Sequence, residues 1–177
     1  MKKIMITSAA AVAAMGLASP AMAQDAPEAE VYVGAQAGYH DVIDNPLGDD
    51  GGVIYGLYAG VDVPVGETIV TGVEGNFNLG TGAIDSEYGI VGKLGARVGD
   101  GGQIFLRGGY QHIDFDVGGL SNGLVNAGDL DVADDEGDYL VGVGGQFKVS
   151  ENVSLRAVVD TIAFDTTRAT VGLAVHF

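Results

Sequence analysis

Apolar side chains fall at every second position through most of this chain. An alternation of period two sends successive side chains to opposite faces of an extended strand. Eight segments carry it: Glu30–His40, Val53–Val63, Thr68–Leu79, Tyr88–Val98, Gln103–Gln111, Asp138–Val149, Val153–Ile162 and Thr167–Phe177. Most are close to the ~9–11 residues that a tilted strand needs to cross the hydrocarbon of a bilayer. The connections after strands two, four and six are brief: Pro64–Glu67, Gly99–Gly102 and Ser150–Asn152. Those after strands one and three read as longer, and His112–Gly137, after strand five, as the longest; only the last, Ala163–Thr166, breaks the rule. Short turns at one end and longer loops at the other are the habit of outer-membrane barrels. An even strand count then puts both termini on the short-turn, periplasmic side.

One face of these strands reads Val31, Val33, Ala35, Ala37, Tyr39, then Val53, Tyr55, Leu57, Ala59, Val61, Val63, and continues in kind to Tyr139, Val141, Val143, Phe147 and Val149 without a charge. The other carries Glu74, Lys93, Arg97, Arg107, Lys148, Arg156, Asp160 and Arg168 with Gln36, Asn76, Gln111 and Gln146. Two closed structures fit, a membrane barrel with a polar inside and a soluble lipocalin-like barrel turned the other way. The aromatics decide between them. Tyr39, Tyr55, Phe77, Tyr88, Tyr110 and Tyr139 fall near one rim, and Phe147 and Phe177 near the other. Rings belong at the two membrane interfaces, whereas a soluble core has no reason to arrange them so. Glycines crowd the polar face (Gly34, Gly60, Gly95, Gly142 and others), as a narrow lumen beside long Arg and Lys side chains requires. The fold class expected is all-β, an eight-stranded antiparallel transmembrane up-and-down barrel over 30–177. In hydrocarbon no strand edge stays open, so the first strand has to pair with the last.

The start of the chain agrees with export. Met1-Lys2-Lys3, an apolar stretch from Ile4 to Leu17, and Ala21-Met22-Ala23 form a leader over 1–23 with an Ala-x-Ala cleavage site. A short acidic tail, 24–29, separates it from the barrel. No Cys follows the cleavage site, which excludes a lipoprotein anchor, and with no Cys at all there is no disulfide framework. Beyond the leader no apolar run approaches the ~20 residues of a membrane helix. The formal net charge is -16, and loss of Lys2 and Lys3 with the leader makes it more negative still. Nucleic acid, which needs a basic footprint, is excluded as a partner.

These features resemble a known family. The leader, the eight strands, the segments Gly72-Val73-Glu74-Gly75-Asn76-Phe77 and Gly92-Lys93-Leu94-Gly95-Ala96-Arg97-Val98-Gly99, the strand Leu106-Arg107-Gly108-Gly109-Tyr110 and the terminal Phe177 look like the opacity-protein and OmpA-like transmembrane barrels. The resemblance covers the barrel only: nothing after Phe177 corresponds to a peptidoglycan-binding domain. It implies an outer-membrane location with loops outside, contact with membrane lipid and lipopolysaccharide, and assembly by the barrel-assembly machinery, with Phe177 as the insertion signal.

Candidate chemistry lies in three places. Glu74, Lys93 and Arg107 come near the middle of three successive strands, with Arg156 and Asp160 entering from the opposite wall. An eight-stranded barrel is just wide enough to be filled by side chains, so these five read as a mutually neutralising plug. A narrow ion path or a proton relay are the sharper alternatives. Acidic residues gather in the loops, at Asp41, Asp44, Asp49 and Asp50 and again at Asp114, Asp116, Asp129, Asp131, Asp134, Asp135, Glu136 and Asp138. They suit a solvated loop that meets other surfaces; divalent cations are conceivable partners, although Asp129–Asp134 lacks the spacing and central Gly of an EF-hand. His40 beside Asp41 and His112 near Asp114 could form rim dyads of the kind lipid-modifying barrels use. No Ser follows either closely, and Gly142-Val143-Gly144-Gly145 lies within a strand, not before a helix. The expectation is a non-enzymatic protein with no cofactor and no metal, structural or adhesin-like, with a small diffusion channel as the alternative.

Overall fold

The computed structural model describes residues 28–41, 51–81, 84–115 and 135–177. It contains strands β1 (Glu30–Asp41), β2 (Gly52–Val65), β3 (Ile69–Gly80), β4 (Ile84–Val98), β5 (Gly102–Phe115), β6 (Asp135–Lys148), β7 (Val153–Ile162) and β8 (Thr166–His176). Each pairs antiparallel with its neighbour in sequence, and β1 pairs with β8, so the sheet is a closed barrel in the order β1 to β8. The seam runs from Tyr32 opposite His176 to Asp41 opposite Thr167, and the Phe177 amide donates to the Val31 carbonyl at 2.9 Å. The leader, the acidic tail up to Pro27 and the loops 42–50 and 116–134 lie outside the described residues.

The alternation is realised as inside and outside. Outward positions such as Leu57, Ile90, Leu106, Val143 and Val171 are exposed, as are the rim aromatics Tyr39, Tyr55, Phe77, Tyr88, Tyr110, Tyr139, Phe147 and Phe177. Tyr110 stands opposite Tyr139, with ring centroids 6.1 Å apart and edge to face. Inward positions are buried and take both polar and apolar side chains. Ile54, Ile84, Val91, Ile113, Leu140 and Ile162 form one apolar cluster inside the barrel, mostly from strand ends next to the connections β1–β2, β3–β4, β5–β6 and β7–β8. Tyr32, Tyr58 and Ala174 form a second, nearer the opposite end. Glycine makes room here, since a Cβ at Gly34 would run into the Tyr58 ring and one at Gly144 into the Phe105 ring.

Three strand boundaries correct the sequence reading. β4 begins at Ile84, not Tyr88, so β3 and β4 are joined through 81–83 and not by a long loop. The reason is a register shift between Ile84 and Ser86. An extra residue in one strand reverses the inside-outside parity beyond it, so Ile84 and Glu87 both face inward with two residues between them. Likewise β5 continues to Phe115 and β6 starts at Asp135, which shortens the longest connection from both sides.

The β7–β8 turn is closed by the Asp165 amide on the Ile162 carbonyl at 3.1 Å, with Ala163 at φ 54° and Phe164 at φ 64°. Consecutive left-handed residues give the twist that a tight hairpin needs, but each costs a non-glycine residue roughly 1–2 kcal/mol. Phe164→Gly is therefore expected to raise the unfolding free energy by about 1 kcal/mol, read from the urea midpoint of the refolded barrel. A lowered midpoint would mean that the exposed Phe164 ring makes a compensating contact with lipid.

Candidate functional site

All five inward charges singled out from the sequence meet in the lumen, because β3, β4 and β5 present Glu74, Lys93 and Arg107 to the same layer while β7 presents Arg156 and Asp160 from across it. Glu74 accepts from Arg107 Nη1 at 3.0 Å, from Arg156 Nη2 at 2.9 Å and also Nη1, and from the Tyr32 hydroxyl at 2.7 Å. Arg107 also donates to Asp160, from Nε at 2.7 Å. Lys93 Nζ lies 3.8 Å from Glu74. Every one of these side chains is buried. Two-point guanidinium–carboxylate contacts of this kind fix orientation as well as charge.

The network is wider than the sequence reading. Asp62 takes Lys93 Nζ at 2.9 Å. Arg168 joins Asp160, at 2.9 Å from Nη2, to Glu87. His40 Nδ1 lies 2.8 Å from Glu87 Oε2, and its Nε2 lies 3.2 Å from the Thr166 hydroxyl. Four carboxylates, Asp62, Glu74, Glu87 and Asp160, thus face four basic side chains, Lys93, Arg107, Arg156 and Arg168. Inward aromatics complete the layer: Lys93 Nζ is 4.5 Å from the Tyr32 ring centroid, and the Arg156 guanidinium is 4.6 Å from that of Tyr58. Desolvated cations over aromatic faces gain more than exposed ones. Asp62, Glu87 and His40 share the inward parity of Tyr58, Lys93 and Gln36, and that parity is the signal by which the sequence could have revealed them.

The histidines stand differently from the rim dyads considered for catalysis. His40 has a carboxylate partner, but it is Glu87 of β4, enclosed in the lumen; Asp41 is exposed, as a sequence neighbour on a strand points the other way. His112 stacks on Tyr88, ring centroids 4.9 Å apart, while the Asp114 side chain lies outside the described ones. His176 faces the lumen near the chain's end: Ser154 Oγ is 2.8 Å from its Nε2, and Glu30 Oε2 is 3.7 Å from its Nδ1. The Ser154 side chain is fully enclosed, so this Ser–His–Glu series packs the mouth and offers no accessible nucleophile. Among the described residues no group of three or more His, Cys, Asp or Glu is placed to hold a metal ion. The acidic loop stretch Asp129–Asp134 lies outside the described residues.

With the geometry in place, likeness to known proteins can be stated. The pattern of the outer membrane protein beta-barrel domain matches residues 9–177. Among solved structures, the chain is similar to the attachment invasion locus protein Ail of Yersinia pestis, at 15% identity and a TM-score of 0.54, covering 86% of this chain and 99% of that one. It is also similar to the N-terminal beta-barrel domain of Pseudomonas aeruginosa OprF, at 12% identity and TM-score 0.56, covering 84% and 97%. Neisserial surface protein A gives 15% identity and TM-score 0.51, covering 84% and 97%. At these identities the likeness is one of fold. No curated protein sequence matches the chain.

Proposed function

We propose, from the outer membrane protein beta-barrel domain family to which this chain belongs, that it is a surface-contact protein whose barrel is a filled pedestal for its loops. The observation that supports this reading is the buried ionic layer of the lumen, in which Glu74 and Asp160 hold Arg107 and Arg156 from facing walls, with the apolar cluster of Ile54, Ile84, Ile113, Leu140 and Ile162 also inside the barrel. A filled lumen leaves little for the inside to transport. The part that can meet another molecule is the outer end, where 42–50 and 116–134 concentrate acidic residues. The attachment-related description of the Yersinia pestis protein agrees with such a role, and catalysis does not enter it, since His40 and Ser154 are enclosed.

In this reading the 1–23 leader is removed on export, the assembly machinery reads Phe177, and the termini and short turns face the periplasm. The acidic loops meet lipopolysaccharide, divalent cations that bridge it, or a neighbouring surface. Catalysts and cofactors are not required.

The test has two arms. Cells displaying the barrel should lose adherence to a cation-coated surface when 116–134 is replaced by a short Asn-Gly turn, with folding unchanged. The refolded barrel in a planar bilayer should stay silent under voltage. Discrete openings altered by Lys93→Gln would overturn the pedestal reading and make the chain a small diffusion channel, with the ionic layer as its working site.

A further inference from the structure

The barrel wall is not of even height at the end of the β5–β6 and β7–β8 connections. β7 stops at Ile162, which stands opposite Leu140 of β6. Beyond that pair β6 continues from Tyr139 to Asp135, about 16 Å of extended chain at ~3.3 Å per residue. On one side this stretch stays paired with β5, up to Asp135 opposite Asp114. On the β7 side no strand pairs with it among the described residues.

The last bond made across that edge gives its polarity. The Tyr139 carbonyl accepts from the Ala163 amide at 3.0 Å and so points toward β7. Backbone directions alternate along an antiparallel strand, which turns the N–H and C=O of Gly137 and Asp135 to the same side. The Tyr139 amide itself donates to the Asp138 side chain at 2.6 Å. Such a row of backbone groups is a template for an added strand.

Charge selects the occupant. Asp135-Glu136-Gly137-Asp138 holds three acidic residues, so the same edge of a second copy would be repelled. Nothing basic in the chain answers them, since 31–92 and 108–147 contain no Lys or Arg. Lys93, Arg107, Arg156 and Arg168 are enclosed in the lumen, and Arg97 and Lys148 stand by Glu30 at the opposite end. At the foot of the edge, Tyr139 and Phe164 are 73% and 76% exposed, more open than any other rim tyrosine. The edge therefore suits a strand with basic and apolar faces.

We propose that the β7-side edge of β6, from Asp135 to Tyr139, takes up an extended segment of a partner protein in which basic and apolar residues alternate. Its backbone pairs with Gly137 and Asp135. Its basic side chains lie on the face of Asp138 and its apolar ones on that of Tyr139, because successive residues of a strand face opposite ways. This deepens the surface-contact reading and rests on it for the side of the membrane where the partner is met. The pairing itself does not depend on that side.

The probe is acetyl-Lys-Val-Lys-Val-Lys-Val-amide, titrated into the barrel in lipid nanodiscs while the backbone amides of Gly137 and Asp135 are followed by nitrogen-edited NMR. Saturable shifts are expected, with a dissociation constant on the order of 100 μM, and the bound peptide should slow hydrogen exchange at Gly137 by about tenfold or more. The same peptide with alternate amides N-methylated keeps its charges and loses its strand donors, so it should not bind. Asp138→Lys should weaken binding by about tenfold, and Phe164→Gly by about threefold. Absence of saturation, or equal binding of the methylated peptide, would overturn the strand pairing. So would a Gly137 amide already protected in the free barrel, which would mean that the chain covers its own edge. Replacing 116–134 by the Asn-Gly turn separates this proposal from the broader reading, for the peptide should still bind while adherence is lost. Loss of both would place the partner on the loop and sink the edge. Adherence that survives the replacement would count against the loops and leave the peptide result standing.

Discussion

Glu74→Gln is expected to lower the unfolding free energy of the refolded barrel by about 3–5 kcal/mol, the cost of leaving a buried charge without its partner. Glu74 is the most heavily shared acceptor in the lumen, taking Arg107, Arg156 and the Tyr32 hydroxyl, with Lys93 3.8 Å away. Glutamine keeps the shape and two of the contacts while deleting the charge, so the loss reports electrostatics and not a hole. The measurement is urea unfolding in detergent micelles, followed by tryptophan-free far-ultraviolet dichroism, because the chain has no Trp. Pairing it with Arg156→Met should recover part of the loss, since apolar replacement of a whole buried pair is often close to neutral. A loss below ~1 kcal/mol, typical of exposed pairs, would mean that water reaches Glu74. That result would revive the channel reading from an equilibrium measurement.

Leu106→Arg should be nearly as severe for a different reason. Leu106 faces outward from the middle of β5, is 62% exposed, and has Leu94 and Val143 as register partners. Water would welcome a guanidinium there; hydrocarbon does not. The expected loss is about 2–4 kcal/mol at the bilayer midplane, falling to ~0–1 near an interface. Tyr139→Arg, at the rim away from the short turns, is the control and should cost little. Refolding both variants into lipid vesicles and comparing unfolding midpoints gives the depth profile. Equal, small costs at both positions would contradict a lipid-facing β5.

The strands and their two faces are legible in the sequence because the membrane allows no compromise on parity: an outward charge is expensive at every depth but the rims. The same rule placed Glu74, Lys93, Arg107, Arg156 and Asp160 together without any knowledge of their contacts. What escaped has physical causes. Glu87 was hidden because the irregularity at Ile84–Ser86 breaks the alternation, and a segment without period two reads as loop. His40 was weighed against Asp41, its neighbour in the chain, whereas its partner comes from across the lumen. Tyr32, Tyr58 and Phe105 lie on the face read as polar, and their place there becomes intelligible only once Lys93 and Arg156 are seen resting on the rings.

The seam between β1 and β8 is built like every other pairing in the sheet, yet it joins the two ends of the chain. Seen around the circumference, the molecule has no first strand. Those ends lie side by side at the rim of the short turns, so a short linker could connect them and fresh ends be opened within 42–50 or 116–134. The order in which the strands are threaded is a matter of how the chain is synthesised, while the cylinder itself is indifferent to where it is cut.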